Sequence, residues 1–218
     1  MEQVFITNPK GGCGKTTVST QLAAYYAVLG KKVLLIDHDA QKSSTDWLAR
    51  RPDCCAKIES VAVSVDTPVD FKDAEVVVHD MPAAWSVEHV SEIIHPGDKV
   101  LIPVLSSPND IKACLRFVMS LNRSGVLDAG IQAGFIGNRV RSQTSYRKVL
   151  NEFLIRLNLP LITTLRDTQN YVRLMDQGKS IFDSPNSKVK DDLVQWEPVI
   201  SWLSESVSLN HPELCEVS

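Results

Sequence analysis

The stretch Asn8-Pro9-Lys10-Gly11-Gly12-Cys13-Gly14-Lys15-Thr16-Thr17 constrains this chain more than any other. A short apolar run, Val4-Phe5-Ile6, leads into it. Apolar residues at helical spacing follow it, at Val18, Leu22, Ala23 and Tyr26. Strand, glycine-rich turn, helix is the setting that a phosphate-binding loop requires. Gly11, Gly12 and Gly14 let main-chain N–H groups turn inward around phosphate oxygens. The positive end of the following helix faces the same anion. Lys15 is placed to reach the β- and γ-phosphates of a nucleotide, and the Thr16 hydroxyl to bind Mg²⁺. Cys13, in the variable position, and Thr17 complete the expected nucleotide-binding set.

The loop departs from the ordinary pattern in two places. Pro9 stands where a glycine is usual, and Lys10 adds a second lysine beside the paired glycines. The anion of this loop is already met by Lys15, so Lys10 is free to face a nucleotide held by a second subunit.

Short runs rich in Val and Ile alternate with helical patterns along the chain. The runs are Val4–Thr7, Val33–Ile36, Val61–Val65, Val76–Val78, Val100–Val104, Gly134–Ile136 and Leu161–Thr164. Few of them alternate polar with apolar, which marks strands buried on both faces of a parallel sheet. Helices are expected over Lys15–Leu29, with Gly30 as its stop, and near Ser86–Ile94, Asp110–Asn122, Ser145–Leu157, Asp167–Gln177 and Lys190–Ser204. Pro198 is awkward inside the last of these. The rhythm predicts an α/β fold, a doubly wound, mostly parallel sheet flanked by helices. Residues 1–205 form one domain in this reading, and 206–218 a polar, flexible tail.

Composition narrows the function. A net charge of −3 and a pI near 6.0 do not announce a nucleic-acid binder, so any DNA contact must come from a local patch. No apolar run reaches the roughly 18 residues of a membrane span, and the N-terminus carries no signal-peptide pattern. The five cysteines form no CxxC pair and no metal spacing, which predicts reduced thiols in a cytoplasmic protein.

Ligands of open α/β sheets sit beyond the carboxyl ends of the strands. Three segments lie at such ends. Asp37 and Asp39 leave one strand together, where each meets metal or water or caps a following helix. Asp80 ends the run Val76-Val77-Val78-His79, as a Walker B carboxylate that holds Mg²⁺, often through water, would do. Asn138 follows a third run and has an amide able to pair with both edges of adenine. His38 reads as a surface residue and His79 as a packed one, with no catalytic role for either.

Lys-Gly-Gly-x-Gly-Lys-Thr-Thr resembles the deviant Walker A motif of the ParA/MinD class of P-loop ATPases. With Asp37-His38-Asp39-Ala40-Gln41, Ser107-Pro108-Asn109-Asp110 and Gly178–Asp183, the resemblance extends from Val4 to about Phe182. It is nearest to the small ParA proteins, of the ParF-like partition and McdA-like positioning kinds. The resemblance implies the P-loop NTPase fold, ATP/ADP and Mg²⁺ as ligands, and slow ATP hydrolysis stimulated by a ParB-like or adaptor partner. It implies that Lys10 crosses a homodimer interface to the partner's ATP, that Asp39 positions the attacking water and that Asp37 supports the Mg²⁺ shell. It implies that Asn138 and Arg166 lie at the adenine. Ala40 stands where the family usually has proline, which bears on the rigidity of that segment.

The resemblance also implies a nucleoid-associated protein whose ATP-bound dimer binds DNA without sequence preference. Arg139, Arg141, Arg147, Lys148, Arg173, Lys179, Lys188 and Lys190 are the candidate contacts. Two other classes share the loop. A MinD-like membrane-surface ATPase would end in a basic amphipathic helix, but Val199–Glu205 has no lysine or arginine, so no membrane partner is expected. A metabolic P-loop ligase would not need Lys10. An iron–sulfur reductase would need bridging cysteines, for which Cys114 is a poor match.

Overall fold

The computed structural model describes residues 1–62, 71, 73–83, 89, 92–140 and 159–205. Its strands are β1 (Glu2–Ile6), β2 (Val33–Asp37), β3 (Glu59–Ala62), β4 (Val76–Asp80), β5 (Lys99–Leu105), β6 (Gln132–Val140) and β7 (Leu161–Arg166). Its α-helices are α1 (Lys15–Val28), α2 (Ser43–Ala49), α3 (Pro108–Arg123), α4 (Gln169–Met175) and α5 (Asn186–Ser204). The strands form one parallel sheet in the order β3-β2-β4-β1-β5-β6-β7. From β1 the chain crosses to β2 and β3, returns to place β4 between β2 and β1, and then runs outward through β5, β6 and β7 on the other side, which is the doubly wound arrangement and the P-loop NTPase fold.

The unbroken apolar runs follow from burial on two faces. In β1, Val4 and Ile6 join a core with Val18 and Leu22 of α1, Trp47 of α2 and Trp196 and Val199 of α5. Phe5, between them, points the other way, into a core with Ile111, Phe117 and Leu121 of α3. Successive strand residues serve opposite faces, so both faces call for apolar residues along most of each central strand.

The expected strands are present, most of them longer than the apolar runs alone. β6 runs on through Asn138 and Arg139 to Val140, with a register shift against β7 where Arg139 takes φ 51°. The segment read as following that strand is therefore part of it. Helix α1 ends a residue early at Val28, and Gly30 follows at φ 80°. Helix α5 begins at Asn186, bends at Val189 and carries Pro198 within it. Helix α2 was not expected. Its residue before the first turn, Lys42, has φ 54°, and no side chain there caps it. Most of the Ser86–Ile94 helix, all of Ser145–Leu157, residues 63–65 of the third run and the 206–218 tail lie outside the described residues. Among the described residues, no helix is long and apolar enough to cross a membrane.

Candidate nucleotide-binding site

The loop between β1 and α1 is held from two sides. The Asn8 side-chain amide donates to the Pro103 carbonyl of β5 at 2.7 Å, and its oxygen accepts from Lys10 N–H at 2.8 Å. Asn138 Nδ2, from β6, donates to the Cys13 carbonyl at 2.8 Å. Gly14 is required twice over. Its φ is 96°, and a Cβ there would fall 2.0 Å from Asn138 Nδ2.

Helix α1 starts at Lys15 with no side-chain cap and no acidic residue in its first turn. Its leading N–H groups and positive dipole end are thus left to an anion. Lys15 is buried, and its ammonium donates to the Lys10 carbonyl at 3.2 Å. Lys10 is exposed at the rim. The two lysines therefore separate, one inside the loop and one outside it. Cys13 is fully buried, and burial pushes its thiol up from its ordinary range. Its side chain packs beneath the loop.

Asp37 and Asp80 are paired in register at the carboxyl ends of β2 and β4, and both are buried. Asp37 Oδ1 accepts from Asp39 N–H at 3.0 Å. Its Oδ2 accepts from Thr45 N–H at 2.9 Å and Thr45 Oγ1 at 3.0 Å. Asp37 thereby supplies the cap that Lys42 cannot give α2, the second of the two roles open to it from sequence. Asp80 Oδ1 accepts from Ser19 Oγ at 3.1 Å, while Oδ2 is buried with no hydrogen-bond partner among the described residues. Burial pushes the Asp80 carboxyl up to about 6. The charge of Asp37 adds to that, and the hydroxyls of Thr16, Ser19 and Ser44 draw it back. A buried carboxylate oxygen lacking a partner, beside the Thr16 hydroxyl, suits a hard divalent cation. Asp39 is half-buried, and its Oδ1 accepts from Gln41 N–H at 3.0 Å.

The residues expected at the adenine are engaged by protein. Asn138 is buried, with its amide on Cys13 and its oxygen accepting from Arg139 N–H. Arg166 Nε donates to Asp192 Oδ1 at 2.6 Å and Nη1 to Asp191 Oδ2 at 3.1 Å. These bonds use two of the five guanidinium N–H donors of Arg166 and one of the two on Asn138 Nδ2.

Among the basic candidates, Arg173, Lys188 and Lys190 are exposed on α4 and α5, and Lys179 is half-buried. Arg139 is exposed but paired with Asp167 at 3.3 Å. Arg141, Arg147 and Lys148 lie outside the described residues.

Sequence reasoning missed Asn8 as a brace, Ser19 as the partner of Asp80, and Thr45. It also missed the contact of His38 Nε2 with His79 Nδ1 at 3.0 Å. Asn8 and Ser19 stand in or next to the motif, but their partners are 95 and 61 residues away. No local pattern announces such pairs.

The carboxysome distribution protein A of Halothiobacillus neapolitanus is 28% identical over 186 residues, covering 81% of this chain and 85% of that one. The sporulation initiation inhibitor protein Soj of Bacillus subtilis is 35% identical over 120 residues, covering 53% of this chain and 44% of its own length. The solved structure of apo McdA from Cyanothece superposes with a TM-score of 0.72 at 18% identity, covering 93% of this chain and 99% of that one, which shows a shared fold. The model of the CobQ/CobB/MinD/ParA nucleotide binding domain matches residues 4–181, and the chain belongs to that family.

Proposed function

We propose that the chain is a ParA-type ATPase. It closes as a dimer around two ATP molecules, binds DNA without sequence preference in that state, and positions or partitions a cargo. The observation that carries the proposal is the separation of the two lysines, with Lys15 buried in the loop and Lys10 exposed at its rim. A single bound nucleotide needs the first lysine, and a nucleotide on a facing subunit needs the second.

Within one subunit, the N–H groups of Gly11–Thr17 cradle the phosphates. The Lys15 ammonium exchanges the Lys10 carbonyl for phosphate oxygens. Thr16 and Asp80 are the residues that would hold Mg²⁺, with Asp37 behind them fixing the loop. Bound there, Mg²⁺ neutralises phosphate charge. Asp39, on the segment that Asp37 and Thr45 anchor, orients the attacking water. Hydrolysis is slow alone and stimulated by a ParB-like or adaptor protein. Arg173, Lys188 and Lys190 are the described residues best exposed for phosphate contacts with DNA. The carboxysome distribution and Soj relatives support a positioning role. The apolar side of α5, with Trp196, Val199 and Leu203, is spent on the core, which leaves the membrane-surface alternative little to insert.

Lys10→Ala is expected to bind ATP but to remain monomeric by light scattering, and to lose ATP-dependent retention on random-sequence duplex DNA. Asp39→Ala should hold ATP without turnover and bind DNA only with ATP, with affinity falling steeply as salt rises. An unchanged ATP dimer in Lys10→Ala would remove the lysine from the interface. DNA binding in no nucleotide state would remove DNA from the proposal.

A further inference from the structure

His38 and His79 are joined on the sheet face away from α1. His38 lies between Asp37 and Asp39, and His79 immediately precedes Asp80. His79 stacks on Phe5 with ring centroids 4.0 Å apart and planes 10° apart. Its Nε2 is 3.2 Å from Gln3 Oε1, and Gln3 Nε2 is 3.4 Å from Asp98 Oδ1. Asp98 is itself fixed by His95 N–H at 2.8 Å.

These contacts set the direction of every hydrogen bond. Gln3 turns its amide nitrogen to Asp98, so its oxygen faces His79 and Nε2 of His79 carries the proton. Nδ1 of His79 is then bare and accepts from Nε2–H of His38. The segment Asp37–Gln41 is thereby tied, through one imidazole pair, to β4, β1 and the start of β5. The main chain adds a second tie, His38 N–H to the Asp80 carbonyl at 3.0 Å. Asp39 is the next residue.

Resting on the ATPase proposal above, we infer that His38 and His79 are positioning residues, a latch that fixes the segment carrying Asp39. The latch supplies the stiffness that Ala40 does not. Ala40 is exposed, and its N–H makes no hydrogen bond among the described residues, so a proline there would cost no bond.

The test compares His79→Leu, which removes the acceptor, with His79→Asn, whose side-chain oxygen can replace it. Each is made with and without Ala40→Pro. In the nucleotide-free full chain, amides of residues 38–45 should exchange about tenfold faster in His79→Leu, the factor matching a hydrogen bond of about 1.4 kcal/mol. His79→Asn should exchange at the wild-type rate, and Ala40→Pro should return His79→Leu toward it. Turnover should follow the same order while ATP affinity stays constant.

Wild-type exchange in His79→Leu, or equal acceleration in His79→Asn, overturns the latch. Failure of Ala40→Pro to restore either readout overturns the link to segment stiffness. Should no form of the chain hydrolyse ATP, the ATPase proposal falls and exchange alone still decides the latch. If His79→Leu does not fold, His38→Leu, at a half-exposed position, breaks the same bond and is read the same way.

Discussion

The carboxyl ends of β2 and β4 hold two aspartates in register, equally buried and oppositely treated. Asp37 takes three hydrogen bonds from its own loop and from α2. Asp80 takes one, and its second oxygen has no partner among the described residues. The first carboxylate is a fastener and the second is held ready. A protein keeps a buried carboxylate in that condition at a cost in stability, and such sites are where ligands bind.

The sharpest way to break this contrast is to remove the fastener. Asp37→Ala strands the Thr45 N–H and Asp39 N–H and frees the start of α2. It should lower unfolding stability by about 3 kcal/mol, measured by urea titration. A loss under about 1 kcal/mol would mean that Asp37 does not hold Thr45 and Asp39 in place.

Asp80→Asn should do the opposite in the nucleotide-free chain. The folded carboxyl titrates at about 6 against 3.8 for the free group. Below about 4 it is protonated in both states, and the substitution changes little. As pH rises from about 4 to about 6, the unfolded chain ionises while the folded one holds its proton, so the wild type loses stability that the variant keeps. At pH 7 Asp80→Asn should therefore melt higher, by roughly 3 kcal/mol of stability. Mg²⁺-dependent ATP binding should weaken in the same variant. A lower melting point at pH 7, with no change in that difference at pH 4, would falsify the idea of a carboxylate held under tension.

The smallest effect is at Ser19. Ser19→Ala removes the one hydrogen bond to Asp80 and should cost about 1 kcal/mol near neutral pH. The loss should shrink in acid, where the carboxyl is protonated. A pH-independent loss would assign Ser19 to its other bond, to the Lys15 carbonyl.

The loop, the strand–helix rhythm and the acids at strand ends were legible because each is a local pattern. Walker-type spacing fixes Gly14, Lys15 and Thr16 within a few residues, and apolar runs mark β1, β4 and β5 without reference to anything distant. What each acid does was not legible. Asp37 and Asp80 differ because Thr45 and Ser19 reach them, and that depends on how α1 and α2 pack on the sheet. Helix α2 escaped notice because it is seven residues long and begins at a lysine with a left-handed backbone. Nothing near Asn138 in sequence shows that its amide reaches the Cys13 carbonyl at 2.8 Å.

Helix α2 is also held unequally at its two ends. Past its last turn, Arg51 forms a buried two-pronged pair with Asp183, at 2.9 and 2.8 Å, and lies over the Trp47 ring. Trp47 Nε1 donates to the Lys179 carbonyl, and Gly178 packs against the peptide between Arg50 and Arg51 too closely for any Cβ. At its first turn, Asp37 holds Thr45 through two hydrogen bonds. A rod of seven residues, about 10 Å long, bolted at one end and tethered at the other is a lever with its fulcrum at Arg51. Loosening the tether at Asp37 should therefore show first at the near end of the rod, on the nucleotide side.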